Sequence, residues 1–325
     1  MSRLSIVIPS FDRLDLLEET LVGVLQHRPD DCEVLVVHDG SYEDTYDLAD
    51  EVRFVTVPSG SGLVERANAA LGEARGLVVN YLAGGVLVTP NWTDSAMGFF
   101  EDPQVALVTP KLVDAKSDTI ACVGIQQSWL GNRTLVGHGK SNERSSLSRI
   151  KSTLPNLACG FFRRSQLLSV HGFDASYGDE LADLVTGQKL VELGGEAVVD
   201  VDSCLEVKDV DEPPRTSARI LGRNQQRWLA AQKDTTGSLR YWMATAGSIT
   251  LETLTAPRSP RRLLTAWGRL AELRSGDAAA DTSTSVHDDE MPLDSHDVSL
   301  LSIDEARDRN AEKSESYAAP TRRAA

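Results

Sequence analysis

Cysteine, histidine, basic residues and long apolar runs are all scarce in this chain, and each shortage excludes something. The four cysteines, Cys32, Cys122, Cys159 and Cys204, stand 90, 37 and 45 residues apart, with no C-x-x-C pair and no histidine at zinc-finger spacing. That excludes a zinc ribbon and a C-x-x-C redox pair, and the thiols read as reduced and mostly buried, as in a cytosolic protein. No apolar run approaches the roughly 20 residues that cross a bilayer. The opening MSRLSIVIPSF turns polar too soon for the apolar region of a secretory signal, so the expected location is cytoplasmic. Lys and Arg number 33 against 48 Asp and Glu, a formal charge of −15. Such a chain repels a polyphosphate backbone, and nucleic acid is not an expected partner. No G-x-G-x-x-G follows the first apolar run, which disfavours a dinucleotide-binding domain.

What is present is a foldable body of 325 residues, 41% hydrophobic and 25% charged, enough for one large domain or two modest ones. Short runs rich in Val, Ile and Leu alternate with helical patterns, the mark of strands buried on both faces of a largely parallel sheet. LSIVI (Leu4–Ile8), EVLVV (Glu33–Val37), RFVTV, LVVNYL (Leu77–Leu82), VALVTP (Val105–Pro110) and CVGI (Cys122–Ile125) read as strands. Between the first two, Leu16, Leu17, Thr20, Leu21, Val24 and Leu25 share one face of a helix. A short helix is expected after Asp39-Gly40, and another around Glu65–Glu73. In such sheets ligands bind beyond the carboxyl ends of the strands, so the residues after Ile8, Val37 and Leu82 are the ones to inspect.

Those residues fall into a recognisable order. IVIPSFDR (Ile6–Arg13), VVHDGSYEDT (Val36–Thr45), GLVERANAALGEARG (Gly62–Gly76), LVTPNW (Leu87–Trp92) and ACGFFRRSQLLSVHGFDASYGDELADL (Ala158–Leu184) together resemble family-2 glycosyltransferases over roughly residues 4–200. The resemblance implies an α/β fold of the GT-A type, a Rossmann-like, doubly wound, mostly parallel sheet. It implies a nucleotide-binding site at Pro9, Ser10, Asp39, Arg66 and Asn68, with Asp39 accepting the imide N–H of a uracil ring. Read without it, Asp39-Gly40-Ser41 is a turn with an Asx cap and Arg66 a solvated arginine over the sheet edge.

Two segments depart from the family pattern. Where members carry an L-D-x-D-like metal motif, this chain reads Leu82-Ala83-Gly84-Gly85-Val86, so the carboxylate positions Ala83 and Gly85 are empty and a divalent Mn or Mg ion is not expected to bridge the donor. Where they read E-D-x-D, Asp179-Glu180-Leu181-Ala182-Asp183 stands instead. Glu180 or Asp179 is the candidate general base, with Asp183 on the same helical turn. Acids in a first turn are equally explained by the helix dipole. The stretch Val201–Pro214 has no histidine to complete a metal site, and Lys208 is its one cation. His38 reads as a core or rim residue, and His138 sits in a loop near a possible acceptor.

The expected organisation is a glycosyltransferase-like domain over residues 1–215, a helical extension over 216–275 and an acidic, disordered tail over 276–325 with 12 acids and 5 bases. In the extension, Leu263, Leu264, Trp267, Leu270 and Leu273 form a stripe beside several arginines. The segment 258–274 therefore reads as contacting either the domain, a second subunit or the inner face of a membrane as a peripheral protein. The expected function is transfer of a sugar, from a UDP-linked donor, with inversion, to a glycan, lipid-linked or other hydroxyl acceptor. The alternative is a non-catalytic relative that binds nucleotide or glycan, or scaffolds polysaccharide assembly.

Overall fold

The computed structural model describes residues 3–143, 153–211 and 217–283. The chain divides into two compact units, Met1–Ala278 and Ala279–Ala325, and all the elements below lie in the first apart from the end of the last helix. From residue 284 onward the expected tail falls outside the described residues.

Uninterrupted apolar runs become strands here because both sheet faces are covered. The strands β1 (Leu4–Pro9), β2 (Cys32–His38), β3 (Val52–Thr56), β4 (Val78–Tyr81), β5 (Val86–Val88), β6 (Val105–Asp114), β7 (Thr119–Cys122), β10 (Phe161–Arg163) and β11 (Glu196–Val207) form one sheet. Its order is β3-β2-β1-β4-β10-β6-β11-β5, with β7 paired to β6. The half from β3 to β4 is parallel; β10, β5 and β7 run antiparallel to their neighbours. A separate hairpin pairs β8 (Ile125–Gln127) with β9 (Arg133–Leu135).

The two-residue period sorts each strand onto two cores. Ile6, Ile8, Val34 and Val36 face α1 (Leu14–His27) through its Leu17, Leu21 and Val24. Val7, Leu35, Val37 and Val79 face α2 (Leu63–Glu73) through Val64, Ala67 and Ala70. The short helices α3 (Asp94–Phe99) and α4 (Arg164–Ser169) follow, then α5 (Ala182–Glu192). A helical layer of α6 (Ala218–Ala231), α7 (Lys233–Thr236), α8 (Ser238–Thr255) and α9 (Pro260–Ser283) completes the unit.

Two expectations need correction. CVGI is not one strand: Gly124, at φ +82, turns the chain between β7 and β8, and a Cβ there would meet the Leu154 carbonyl and Thr153 hydroxyl at 2.5 Å. No helix follows Asp39-Gly40 either. The Asp44 carboxylate accepts the Leu48 N–H at 2.8 Å, and Asp47 takes the left-handed φ of 55, which breaks helical propagation.

Candidate functional site

At the carboxyl ends of β1 and β4 the sheet opens into a cavity of about 710 Å³. Pro9 and Phe11 line it from the loop after β1, and Ala83 from the loop after β4. Cys122, Arg133 and His138 come from the β7–β9 region, Asp179, Glu180 and Asp183 from the entry to α5, Asp211 from beyond β11, and Arg261 from α9. The polar groups are therefore contributed by segments far apart in sequence around one hollow.

The acidic cluster does not form a helical first turn as a unit. A 3₁₀ turn (Ala175–Tyr177) precedes it, Asp179 and Glu180 lie in the following bend, and only Asp183 belongs to α5. Each carboxylate has a different partner. Asp179 Oδ1 accepts the Val64 N–H at 2.9 Å, capping α2 from outside, and Gly62 is the neighbour that leaves room for it. Glu180 pairs with Arg261 at 3.0 Å, both partly exposed. Asp183 is buried and takes Arg133 in a two-pronged pair at 3.0 and 2.7 Å, with the Leu184 N–H at 2.7 Å. Burial works against the charge on Arg133, but Asp183 outweighs it and the guanidinium pKa is raised. Asp183 is thus the most fully occupied of the three carboxylates. The adjoining Cys122 thiol is pushed up to about 11 by burial, so it stays protonated near neutral pH.

Arg66 is not a solvated arginine. It is 3% exposed, donates to the Ser10 carbonyl at 2.6 Å and the Ser61 carbonyl at 3.0 Å, and stacks on the Phe11 ring at 4.6 Å. It also pairs with Asp39 at 3.3 Å. Arg66 thereby ties the loop after β1 to the loop after β2. The Asp39 carboxyl sits below the usual aspartate range, held there first by hydrogen bonding from Ser41 and further by Arg66. Ser10 is buried, and its hydroxyl finds no partner among the described residues. Asn68 is directed elsewhere: its amide donates to the Phe173 carbonyl and accepts the Phe173 N–H, both at 2.8 Å, holding the Gly172-Phe173 turn. His38 accepts the Gly40 N–H at 3.1 Å and packs edge-on to Tyr42 and Phe54, and burial lowers its pKa. Lys208 pairs with Glu19 at 3.4 Å.

The strand-end glycines are filled by the chain itself. The Gly84 carbonyl accepts the Asp211 N–H at 2.8 Å, and a Cβ on Gly85, at φ +91, would collide with the Asp209 carbonyl. Asp211 is buried; its Oδ2 accepts the Phe11 N–H at 2.8 Å and its Oδ1 the Arg13 N–H at 3.2 Å. Burial raises its pKa, against those two amides. A divalent cation wants several free hard oxygens. Ala83 and the glycines supply none, both Asp211 oxygens are committed to backbone amides, and Asp209 pairs with Arg13. Among the described residues no group of three His, Cys, Asp or Glu is placed to hold a metal. The donor set does not fit one.

Sequence reasoning missed Arg133, Arg261, Phe11 and Asp211. For Asp211 a signal existed: Asp209-Val210-Asp211 is itself a D-x-D triplet, displaced from the strand end where the motif is usually sought. For the two arginines there was none, because their partners lie 50 and 81 residues away.

A mixed sheet with α1 and α2 on opposite faces, and a cavity lined by apolar and charged side chains beyond the ends of β1 and β4, defines an α/β protein of the GT-A glycosyltransferase type. Residues 5–165 match the model of glycosyl transferase family 2. That match supports a nucleotide-sugar glycosyltransferase. No curated protein matches the chain in sequence. Among solved structures, the chain is similar to the mannosyltransferase PcManGT from Pyrobaculum calidifontis, in complex with GDP-Man and Mn²⁺. The TM-score is 0.49, with 17% identity over 87% of this chain and 88% of that one. It is also similar to TarS of S. aureus, with a TM-score of 0.49, 16% identity, and coverage of 71% of this chain and 39% of that one. At these values neither likeness bears on donor, acceptor or metal.

Proposed function

We propose that the protein transfers a sugar from a UDP-linked donor, with inversion, to a hydroxyl of a glycan or lipid-linked acceptor, and that no metal bridges the donor diphosphate. One observation carries this reading: the cavity at the strand ends has Pro9 and Phe11 on its wall together with Asp179, Glu180 and two arginines. Asp39 takes the uracil imide N–H, in a loop that Arg66 holds in place. Glu180 or Asp179 accepts the proton of the attacking hydroxyl as its oxygen bonds the anomeric carbon and the bond from that carbon to the diphosphate oxygen breaks. The negative charge on the departing nucleoside diphosphate is met by Arg133 and Arg261 rather than by a metal ion.

A second reading, a non-catalytic binder of nucleotide or glycan, is favoured by the occupied state of Asp183 and by the lack of acids at Ala83 and Gly85. One experiment separates the two. Turnover and donor hydrolysis are measured over a panel of nucleotide sugars for wild type, Asp179→Asn and Glu180→Gln. Transfer is expected in wild type, with one variant losing about 10²–10⁴ in rate while keeping nucleotide affinity and melting temperature. Wild-type turnover in both variants refutes the base assignment. A wild type that binds a donor yet neither hydrolyses nor transfers it establishes the second reading.

A further inference from the structure

Surface helices ordinarily turn their leucines inward and their charges outward. α9 departs from this by turning most of its leucines outward. Leu263, Leu264, Trp267 and Leu270, which share one helical face, are 51%, 52%, 61% and 45% exposed. Thr265, Ala266, Gly268 and Arg269 are the residues turned inward.

The cause lies in how α9 crosses α6. A Cβ on Gly222 would collide with the Thr265 carbonyl, and one on Gly268 with the Arg219 carbonyl, so the crossing admits only small residues. Arg269 is fully buried beside them, bonded to Glu252 at 3.1 Å and Gln225 at 2.7 Å. The inward face is thereby committed, and the stripe's large side chains face solvent, apart from Leu273, which packs on Leu229, Tyr241 and Ala244. α8 repeats the arrangement with exposed Leu239, Trp242 and Met243 on one of its faces.

Charge says what covers these faces. Residues 217–275 hold 10 bases and 3 acids, whereas residues 1–216 hold 18 bases and 33 acids. The helical layer is therefore the positive region of a negative protein. Arg262 and Arg274, both exposed, flank the α9 stripe, and exposed Arg240 stands between Leu239 and Trp242 in sequence. Exposed tryptophan and leucine ringed by arginine is the chemistry of an interfacial helix on anionic lipid. No described helix is long and apolar enough to cross a membrane.

We propose that α9 lies on an anionic lipid surface. Leu263, Leu264, Trp267 and Leu270 enter the boundary between headgroups and acyl chains, and Arg262 and Arg274 meet the lipid phosphates. The other side of the same helix carries Arg261 into the cavity, so the attachment holds the site near the surface. This inference goes beyond the proposed reaction and does not depend on it.

The test is flotation of the full chain with vesicles of phosphatidylcholine alone and of one part phosphatidylglycerol to two parts phosphatidylcholine. Binding is expected on the anionic vesicles, about tenfold or more weaker on the neutral ones, and reduced by high salt. Trp267→Glu and the double variant Arg262→Glu/Arg274→Glu should each weaken it by a similar factor with the melting temperature unchanged. Leu264→Ser, a milder change on the same face, should weaken it less. Three results would overturn the proposal: no flotation of wild type, equal flotation of Trp267→Glu and wild type, or a wild-type dimer that Trp267→Glu dissociates while neither floats.

Discussion

Replacing Asp211 by Ala removes the buried side chain that joins the segment after β11 to the loop after β1. Its carboxylate accepts the Phe11 N–H at 2.8 Å and the Arg13 N–H at 3.2 Å. The Phe11 amide is the buried one, and stranding a buried donor costs about 1–3 kcal/mol, with a charged acceptor at the upper end. The Arg13 bond is longer and part-exposed, and burial of the carboxylate itself offsets some of the gain, as its raised pKa indicates. The expected net loss is about 2–3 kcal/mol. In urea, with a slope of about 1–3 kcal/mol/M, this moves the midpoint down by roughly 1 M at constant slope. UDP affinity should fall as well, since Phe11 lines the cavity. Asp211→Asn keeps one acceptor and should lose about half as much stability. The sign with pH follows from the upward shift. The folded state binds the Asp211 proton more tightly than the unfolded state does. Its contribution is full below the ordinary aspartate pKa and falls as pH rises through the raised value, so the deficit of the Asn variant should be larger near pH 4 than near pH 7. An Ala variant within about 0.5 kcal/mol of wild type, or a deficit that grows with pH, would refute this account of the loop.

The remaining predictions rest on single contacts. Arg66→Lys keeps the charge but cannot reach the Ser10 and Ser61 carbonyls and the Phe11 face together. It should weaken UDP binding about tenfold or more in calorimetry, and unchanged affinity would show that the loops after β1 and β2 do not need it. Asp183→Ala leaves Arg133 largely buried without its partner and should destabilise the protein by about 3–5 kcal/mol by denaturant titration. The double change Arg133→Met/Asp183→Leu should recover most of that, and failure to recover would mean the pair does more than neutralise itself.

Much of the sheet was legible in the sequence, for a physical reason. β1, β2 and β4 are covered on both faces, so they are written as runs dominated by Val, Ile and Leu, and α1 shows its buried stripe directly. β11 is harder to read. Its register slips between Asp200 and Cys204, where the Asp200 carboxylate accepts the Ser95 hydroxyl and the Asp202 and Ser203 amides, and this interrupts the apolar alternation with acids. At the site, the acids Asp179, Glu180 and Asp183 were visible because they are neighbours in sequence. What each is bonded to was not, since Val64, Arg261 and Arg133 are brought in by tertiary packing. The α9 stripe was legible as a stripe, but its outward direction was not, because that depends on Gly222 and Gly268 meeting backbone at the α6 crossing.

The most direct test of a metal-free nucleotide-sugar site is calorimetric titration of UDP and UDP-sugars into the full chain, first with a chelator and then with Mn²⁺. Binding in the chelator, tighter for UDP than for GDP or ADP, is predicted, with Mn²⁺ changing the affinity by less than about tenfold, or 1.4 kcal/mol. Asp39→Ala should weaken UDP by about 1–3 kcal/mol, the cost of an unpaired buried donor. Equal affinity for all bases, no binding without metal, or a tenfold or greater tightening with Mn²⁺ would contradict it.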